Sequence, residues 1–394
     1  MSIELQIQKI AFGGEGIGFI NGKTCFVEGV LPGEKVLVKV LQDKKNFLRA
    51  KLLKVLTPSS YRLDPPCSYV KHCGGCQYQH ISYEEELRIK ETQAKEILNR
   101  VAGIPENLVR PIRGSNRDYE YRNSVTLHIS KPKGRKNKPV VGFIARDNKS
   151  VVPIKNCLIA DQRFLPVFGA GLKLKENRGK ITLKLSEKGE IFSDAAEKFF
   201  KVKIGEETLL ASSLGFFQNN LYVTELLVNQ VRAWLKSIRP KTFFDLYSGV
   251  GTFSFLCAKD TGEIYCVEDS PASLDALRMN KEGRKFNHLK ILAGSVEKIF
   301  PKLWEEKKHN HSVVLADPPR QGMAPELTRY LSSRNDIDNL IYISCDPVTC
   351  ARDLKIILGQ GNFEVKEIIP WDMFPKTKHI ELSVLLESKS PYIV

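Results

Sequence analysis

From Thr242 onward the sequence alternates short apolar runs with helical stretches, and this alternation constrains the fold more than any other feature. The apolar runs are residues 242–246, 263–267, 289–292, 312–316, 339–343, 363–369 and 379–386. Each has strand length and is rich in β-branched or aromatic residues. Strands separated by helices pair in parallel through crossover connections, which gives a doubly wound α/β, Rossmann-like sheet. The last two runs have only a short connection, so the closing strand is expected to be antiparallel.

In such a sheet, ligands bind at the carboxyl ends of the strands. The residues at those ends carry chemistry. After the first run comes Asp245-Leu246-Tyr247-Ser248-Gly249-Val250-Gly251, and its two glycines permit a tight turn against a ligand. The pattern is neither G-x-G-x-x-G nor a P-loop. A neutral glycine turn beside an acidic residue suits an amino-acid-bearing nucleoside such as S-adenosylmethionine better than a pyrophosphate. The second run ends at Glu268, whose carboxylate is placed to accept from ribose hydroxyls. The fourth ends in Asp317-Pro318-Pro319-Arg320, where two prolines fix the direction of Asp317.

The fifth run ends in Ser344-Cys345-Asp346-Pro347, with Pro347 near the start of a helix. A thiol facing a helix N-terminus, with Arg352 close in sequence, is expected to have a lowered pKa. Such a thiolate can attack C6 of a uracil ring and make C5 nucleophilic toward a methyl sulfonium. Removing the C5 proton then needs a general base. His379 and Glu381, two residues apart, both qualify, and on a strand they would share a face.

The first half of the chain has a different character. The net charge is +15, and residues 1–220 hold 37 Lys and Arg against 23 Asp and Glu (37 − 23 = +14). That asymmetry points to a polyanionic partner. Residues 1–57 read as five short strands with glycine turns, including the hairpin signal Asn21-Gly22, and so as an OB-like β-barrel. Residues 58–214 read as an α+β central domain, with a helix over 83–101 and strands over 121–129 and 140–145. The segment 131–138 places five basic residues in eight on a loop, suited to a phosphate backbone. Three cysteines fall in ten residues as Cys67-x5-Cys73-x2-Cys76, with Cys157 downstream, a set able to bind zinc or an iron–sulfur cluster. Nine cysteines, an odd number partly in apolar runs, suit a reducing compartment. Neither a membrane span nor a signal peptide is read from the sequence, so a cytoplasmic protein is expected.

The segments Ser344–Asp353 and Asp372–Glu381 resemble the S-C-x-P-x-T-x-A-R-D and D-M-F-P-x-T-x-H-x-E motifs of the RNA uracil-C5 methyltransferase family. The segment Asp317–Gly322 resembles its D-P-P-R-x-G motif, and Gly215–Asn220 its F-x-Q-x-N motif. The resemblance implies a class I methyltransferase domain over 215–394. It makes Cys345 the nucleophile and Glu381 the base. It implies that Gln218, Tyr247, Gly249, Glu268 and Asp317 contact S-adenosylmethionine, and that Phe216 and Asp317 contact the uracil. It implies a TRAM domain at the N-terminus and a [4Fe-4S] cluster on Cys67, Cys73, Cys76 and Cys157. TRAM and cluster together point to 23S ribosomal RNA as substrate, with transfer RNA as the alternative, and a monomer is expected. Asp346 and Cys350 depart from the Asn and Leu common in the family, and Thr252 from an Asn. A cytosine-C5 methyltransferase is disfavoured because no Cys follows Asp317-Pro318. A silent RNA binder would need none of Cys345, Asp317 and Glu381.

Overall fold

The computed structural model describes residues 2–130, 139–168, 179–306 and 311–389. The basic segment 131–138 lies outside the described residues.

Six strands form the N-terminal sheet: β1 (Ser2–Gln6), β2 (Lys9–Ile10), β3 (Glu15–Ile20), β4 (Lys23–Glu28), β5 (Lys35–Asp43) and β6 (Phe47–Thr57), in the order β1-β5-β6-β4-β3-β2. There is one strand more than the sequence suggests, because the first apolar run breaks after Gln6 and resumes as the two-residue β2. Asn21 and Gly22 both have positive φ (50° and 78°), the conformation that lets a two-residue turn match strand twist. Alternate residues Val27, Val36, Val38 and Leu48 face inward to a separate small core.

The central strands are β7 (Ser124–Ser130), β8 (Val140–Ile144), β9 (Val151–Pro153), β10 (Lys180–Leu185) and β11 (Ile191–Ser193), followed by the hairpin β12 (Phe199–Ile204) and β13 (Glu207–Ser212). Helix α1 (Tyr83–Ala102) starts at Ser82, whose side chain accepts from the Glu85 N–H, and stops at Gly103 in the left-handed region. Its apolar face, Ala94, Ile97 and Leu98, packs into the core of the C-terminal sheet. The β12–β13 hairpin also joins that sheet's other face, through Val202, Ile204 and Leu209.

That sheet has seven strands: β14 (Thr242–Leu246), β15 (Glu263–Glu268), β16 (Leu289–Ala293), β17 (Ser312–Ala316), β18 (Asn339–Ser344), β19 (Phe363–Trp371) and β20 (Glu381–Ser388). Their order is β16-β15-β14-β17-β18-β20-β19. The first five are parallel, and β20 inserts antiparallel between β18 and β19. Helices α2 (Leu221–Ile238), α3 (Thr252–Cys257), α4 (Pro271–Arg284), α5 (Val296–Glu305), α6 (Pro325–Ser333) and α7 (Pro347–Leu358) accompany it. β14 and β17 are buried along their whole length, as expected of strands covered on both faces. Because β20 runs antiparallel, its first residue, Glu381, lies at the same sheet edge as the last residue of β18, Ser344, with which Leu382 pairs.

Candidate active site at the carboxyl edge of the sheet

The turn after β14 is held by backbone geometry that few residues tolerate. Gly249 and Gly251 have φ of 55° and 86°, and Tyr247, a bulky residue, sits at 60°. A left-handed tyrosine costs about 1–3 kcal/mol. Its hydroxyl is anchored by donating to Glu297 at 2.6 Å. A Cβ at Gly249 would meet nothing within 4 Å, so space is open there, whereas one at Gly251 would strike Phe255 at 2.4 Å. Asp245 turns inward and accepts from the Ser254 N–H (3.1 Å) and hydroxyl (2.6 Å), and burial pushes its pKa up to about 7. Glu268 accepts from the N–H groups of Gly249 (2.7 Å), Asp269 (3.1 Å) and Ser270 (2.8 Å). Oε1 takes the Asp269 and Ser270 donors and Oε2 only that of Gly249, so Oε2 keeps a lone pair for a ligand hydroxyl.

One cavity of about 670 Å³ runs along this edge. Tyr247, Gly249, Glu268, Asp317, Cys345 and Glu381 line it, together with Phe216 and Gln218 from the segment before α2. The volume is that of a small-molecule site. Phe216 is 64% exposed at its rim, while Gln218 is buried.

The electrostatics reverse one expectation. Burial first, and then the carboxylates of Glu381 and Asp317, push the Cys345 thiol up to about 12. Asp346 caps α7, accepting from the N–H groups of Val348 (2.9 Å) and Thr349 (3.3 Å), so it uses the helix donors and adds a negative charge beside the thiol. Arg352 faces away and binds Asp353 (2.7 Å) and the Gln321 carbonyl (2.8 Å). The cation that opposes the rise is Arg320. Desolvation raises Asp317 to about 7, and desolvation and the charge of Asp317 raise Glu381 well above the carboxylate range.

His379 and Glu381 line the same cavity but not the same strand face, because β20 begins at Glu381 and His379 lies in the preceding loop. His379 Nδ1 accepts from Arg320 Nη2 at 2.6 Å, and burial and that cation pull its pKa down to about 3. A neutral imidazole so occupied is a poor proton acceptor.

The loop from Asp372 to Ile380 is clasped by residues distant in sequence. Lys90 on α1, fully buried, donates to Glu86 and Asp372, each at 2.7 Å. The Lys376 N–H donates to Glu86 (2.7 Å), and its carbonyl accepts from the N–H groups of Gln77 (2.9 Å) and Tyr78 (3.0 Å). Gln77 follows Cys76 directly, so the cysteine segment and the Glu381 loop are hydrogen-bonded neighbours.

Cys67, Cys73, Cys76 and Cys157 line a second pocket of about 470 Å³, whose wall includes Arg122, Arg320 and His379. Burial raises the thiols of Cys73 and Cys157, and Cys76 to about 12. Arg146 braces the segment by donating to the carbonyls of Val70 and Cys76, each at 3.1 Å. Among the described residues, no three His, Cys, Asp or Glu side chains converge on a single-ion site. A [4Fe-4S] cluster needs one thiolate for each iron, and the four cysteines of this pocket are that number.

Sequence reasoning assigned no role to Arg320 or Arg122. Arg320 was within sight, two residues past Pro318 in a segment already singled out. Arg122 carries no local signature, since only the fold brings it to both pockets.

Residues 202–389 match the model of the tRNA (uracil-5-)-methyltransferase family, and residues 2–53 that of the TRAM domain. The chain is 30% identical to an uncharacterized RNA methyltransferase of Clostridium tetani, over 95% of this chain and 93% of that protein. It is also 30% identical to one of Oceanobacillus iheyensis, over 96% and 94%. The fold is that of the Pyrococcus abyssi tRNA (uracil-54, C5)-methyltransferase, solved with S-adenosyl-L-homocysteine, with a TM-score of 0.72, 22% identity and coverage of 97% and 99%. No helix of the described residues is long and apolar enough to cross a membrane.

Proposed function

The chain belongs to the RNA uracil-5 methyltransferase family, and we propose that it methylates C5 of a uridine in 23S ribosomal RNA, as a cytoplasmic monomer, with Cys345 as nucleophile and Glu381 as base. One observation carries this reading. Cys345, Glu381 and Asp317 meet in one cavity with the glycine turn of β14 and the exposed Phe216.

S-adenosylmethionine bound there supplies an electrophilic methyl group. Gln218, Tyr247, Gly249, Glu268 and Asp317 would hold it, with Glu268 on the ribose hydroxyls. Phe216 stacks on the flipped uracil, and Asp317 accepts from its N3–H. The Cys345 thiolate adds to C6, and the electron pair released into the ring makes C5 nucleophilic; C5 would take the methyl group as its bond to the sulfonium sulfur breaks, the sulfur keeping the bonding pair as a neutral thioether. Glu381 then takes the C5 proton, the C5–C6 double bond re-forms, and the Cys345 thiolate leaves. A sulfonium cation held in this cavity would favour the charged forms of Asp317, Glu381 and the Cys345 thiol.

Cys67, Cys73, Cys76 and Cys157 fit a [4Fe-4S] cluster, which with four thiolates would leave no open iron and act structurally. The hydrogen bonds of Gln77 and Tyr78 to Lys376 pass the order of that segment to the Glu381 loop. The pairing of a TRAM barrel with the cysteine set favours ribosomal RNA. Transfer RNA is the second reading, favoured by the activity named for the Pyrococcus abyssi protein.

RNA carrying 5-fluorouridine tests the chemistry. Fluorine at C5 cannot be removed by a base, so a covalent protein–RNA complex should accumulate, dependent on the methyl donor and absent in Cys345→Ala. A complex that forms equally in Cys345→Ala would refute the assignment.

A further inference from the structure

Beside the catalytic cavity lies another pocket, of about 510 Å³, that the mechanism does not use. The two share a wall made by Arg122 and the segment carrying Phe216. We propose that this pocket is a second RNA subsite, which holds the nucleotide next to the flipped uridine with its backbone phosphate on Arg122. The proposal rests on the uridine entering beside Cys345.

Arg122 is the principal observation. Its side chain lines the catalytic cavity, this pocket and the cysteine pocket. Its Nε is buried and has no hydrogen-bond partner. Its guanidinium packs over the Phe374 ring at 5.7 Å, and among the described residues no carboxylate is paired with it. A half-buried guanidinium whose Nε has no acceptor is suited to an anion, and phosphate oxygens match its geometry.

Lys184 is the second. It is buried, and its Nζ donates to the carbonyls of Ser212 (3.1 Å) and Gly215. Burial pulls its pKa down to about 8 even though the nearby Asp194 favours the charged form. An ammonium has three donors, two of which go to backbone carbonyls, and it lines the pocket. Those carbonyl bonds also fix the strand of chain that presents Phe216. The remaining lining offers a nucleoside the hydroxyls of Ser124 and Thr126 and the ring of Phe143, with the Asp194 carboxylate beside Lys184 as an acceptor for hydroxyls rather than for phosphate.

Phe216 gives the register. It borders both spaces, so a base stacked in the catalytic cavity and the adjoining nucleotide lie on either side of one ring. An aromatic platform flanked by cations is how single-stranded nucleic acid is held without reading sequence. The linkage between the two nucleotides then passes Arg122.

The test uses the full-length holoprotein and a short single-stranded RNA with one central uridine, with either an ordinary or a neutral methylphosphonate linkage beside it. Arg122→Gln should weaken binding of the ordinary RNA by about tenfold or more. It should also reduce the salt slope by about 0.7–1. Neutralising the linkage should cost wild type a similar factor and cost Arg122→Gln nothing further. Arg122→Lys should recover part of the affinity, and Lys184→Met should weaken binding with the same dependence on the pocket-side nucleotide. In Arg122→Gln, S-adenosylmethionine affinity, cluster absorbance and melting temperature should match wild type. Equal losses on neutralisation in wild type and Arg122→Gln would overturn the proposal, as would a parallel fall in cofactor affinity or cluster content. Absence of 5-methyluridine from wild type with this RNA's natural counterpart would strike the catalytic reading instead, and this subsite with it.

Discussion

The Cys345 thiol should react slowly in the free protein, because burial and two neighbouring carboxylates disfavour its thiolate. A pKa of about 12 leaves about one thiol in ten thousand ionised at pH 8. An ordinary cysteine, at about 8.5, is roughly a quarter ionised there. Alkylation of Cys345 by iodoacetamide should therefore run about a hundredfold slower than that of free cysteine, the small thiolate fraction being partly offset by the greater nucleophilicity of a more basic thiolate. Its rate should rise about tenfold per pH unit through pH 10 without a plateau. The first cause of the elevation is burial, and Glu381 and Asp317 come next. Glu381→Gln and Asp317→Asn should thus each speed alkylation, yet together recover only part of the deficit. Arg320→Gln, which removes the opposing cation, should slow it. S-adenosylmethionine, being a cation, should speed it, and neutral S-adenosylhomocysteine should not. Peptide mapping by mass spectrometry follows Cys345 apart from the other eight cysteines. Alkylation as fast as free cysteine, or a plateau near pH 8.5, would refute this electrostatic account.

Glu381→Gln should lower turnover by about 10²–10⁴ while a methylated protein–RNA adduct accumulates, visible on a denaturing gel; loss of turnover without adduct would place Glu381 before C5 methylation. Gly251→Ala should destabilise the fold by about 1–3 kcal/mol, because φ is 86° and the new Cβ meets Phe255 at 2.4 Å, and should weaken S-adenosylmethionine binding in calorimetry. Lys90→Met should cost about 3–5 kcal/mol in denaturant unfolding, since it leaves Glu86 and Asp372 buried without their shared cation. A loss below about 1 kcal/mol would mean that this clasp contributes little.

Much of the catalytic sheet was legible because its signals are local. β14 and β17 begin and end where their apolar runs do, and the others differ by a residue or two. The turn at Asn21-Gly22 was legible for the same reason, since two positive φ angles select those residue types. The residues quoted at the strand ends do share one cavity, because parallel strands bring their carboxyl ends to one edge. What escaped depends on pairing across long separations. Nothing near Lys90 says that Asp372, 282 residues away, will share its proton donors. Nothing in Asp346-Pro347 says that the capping carboxylate will consume the helix donors that might have lowered Cys345. His379 read as strand because the apolar run extends through it, yet its contact with Arg320 holds it in the loop. The side on which α1 packs was equally hidden, since an amphipathic face shows that a helix is buried but not against what.

The most direct measurement supplies the purified, cluster-replete protein with S-adenosylmethionine labelled in its methyl group. Ribosomal RNA and transfer RNA from methylation-deficient cells are tested separately, and nucleosides are read by mass spectrometry. The account predicts label in 5-methyluridine, from ribosomal RNA, at the level of one class of site and abolished by Cys345→Ala. Label from transfer RNA alone would keep the mechanism and overturn the substrate. Label in 5-methylcytidine, or 5-methyluridine formed undiminished by Cys345→Ala, would contradict the central claim.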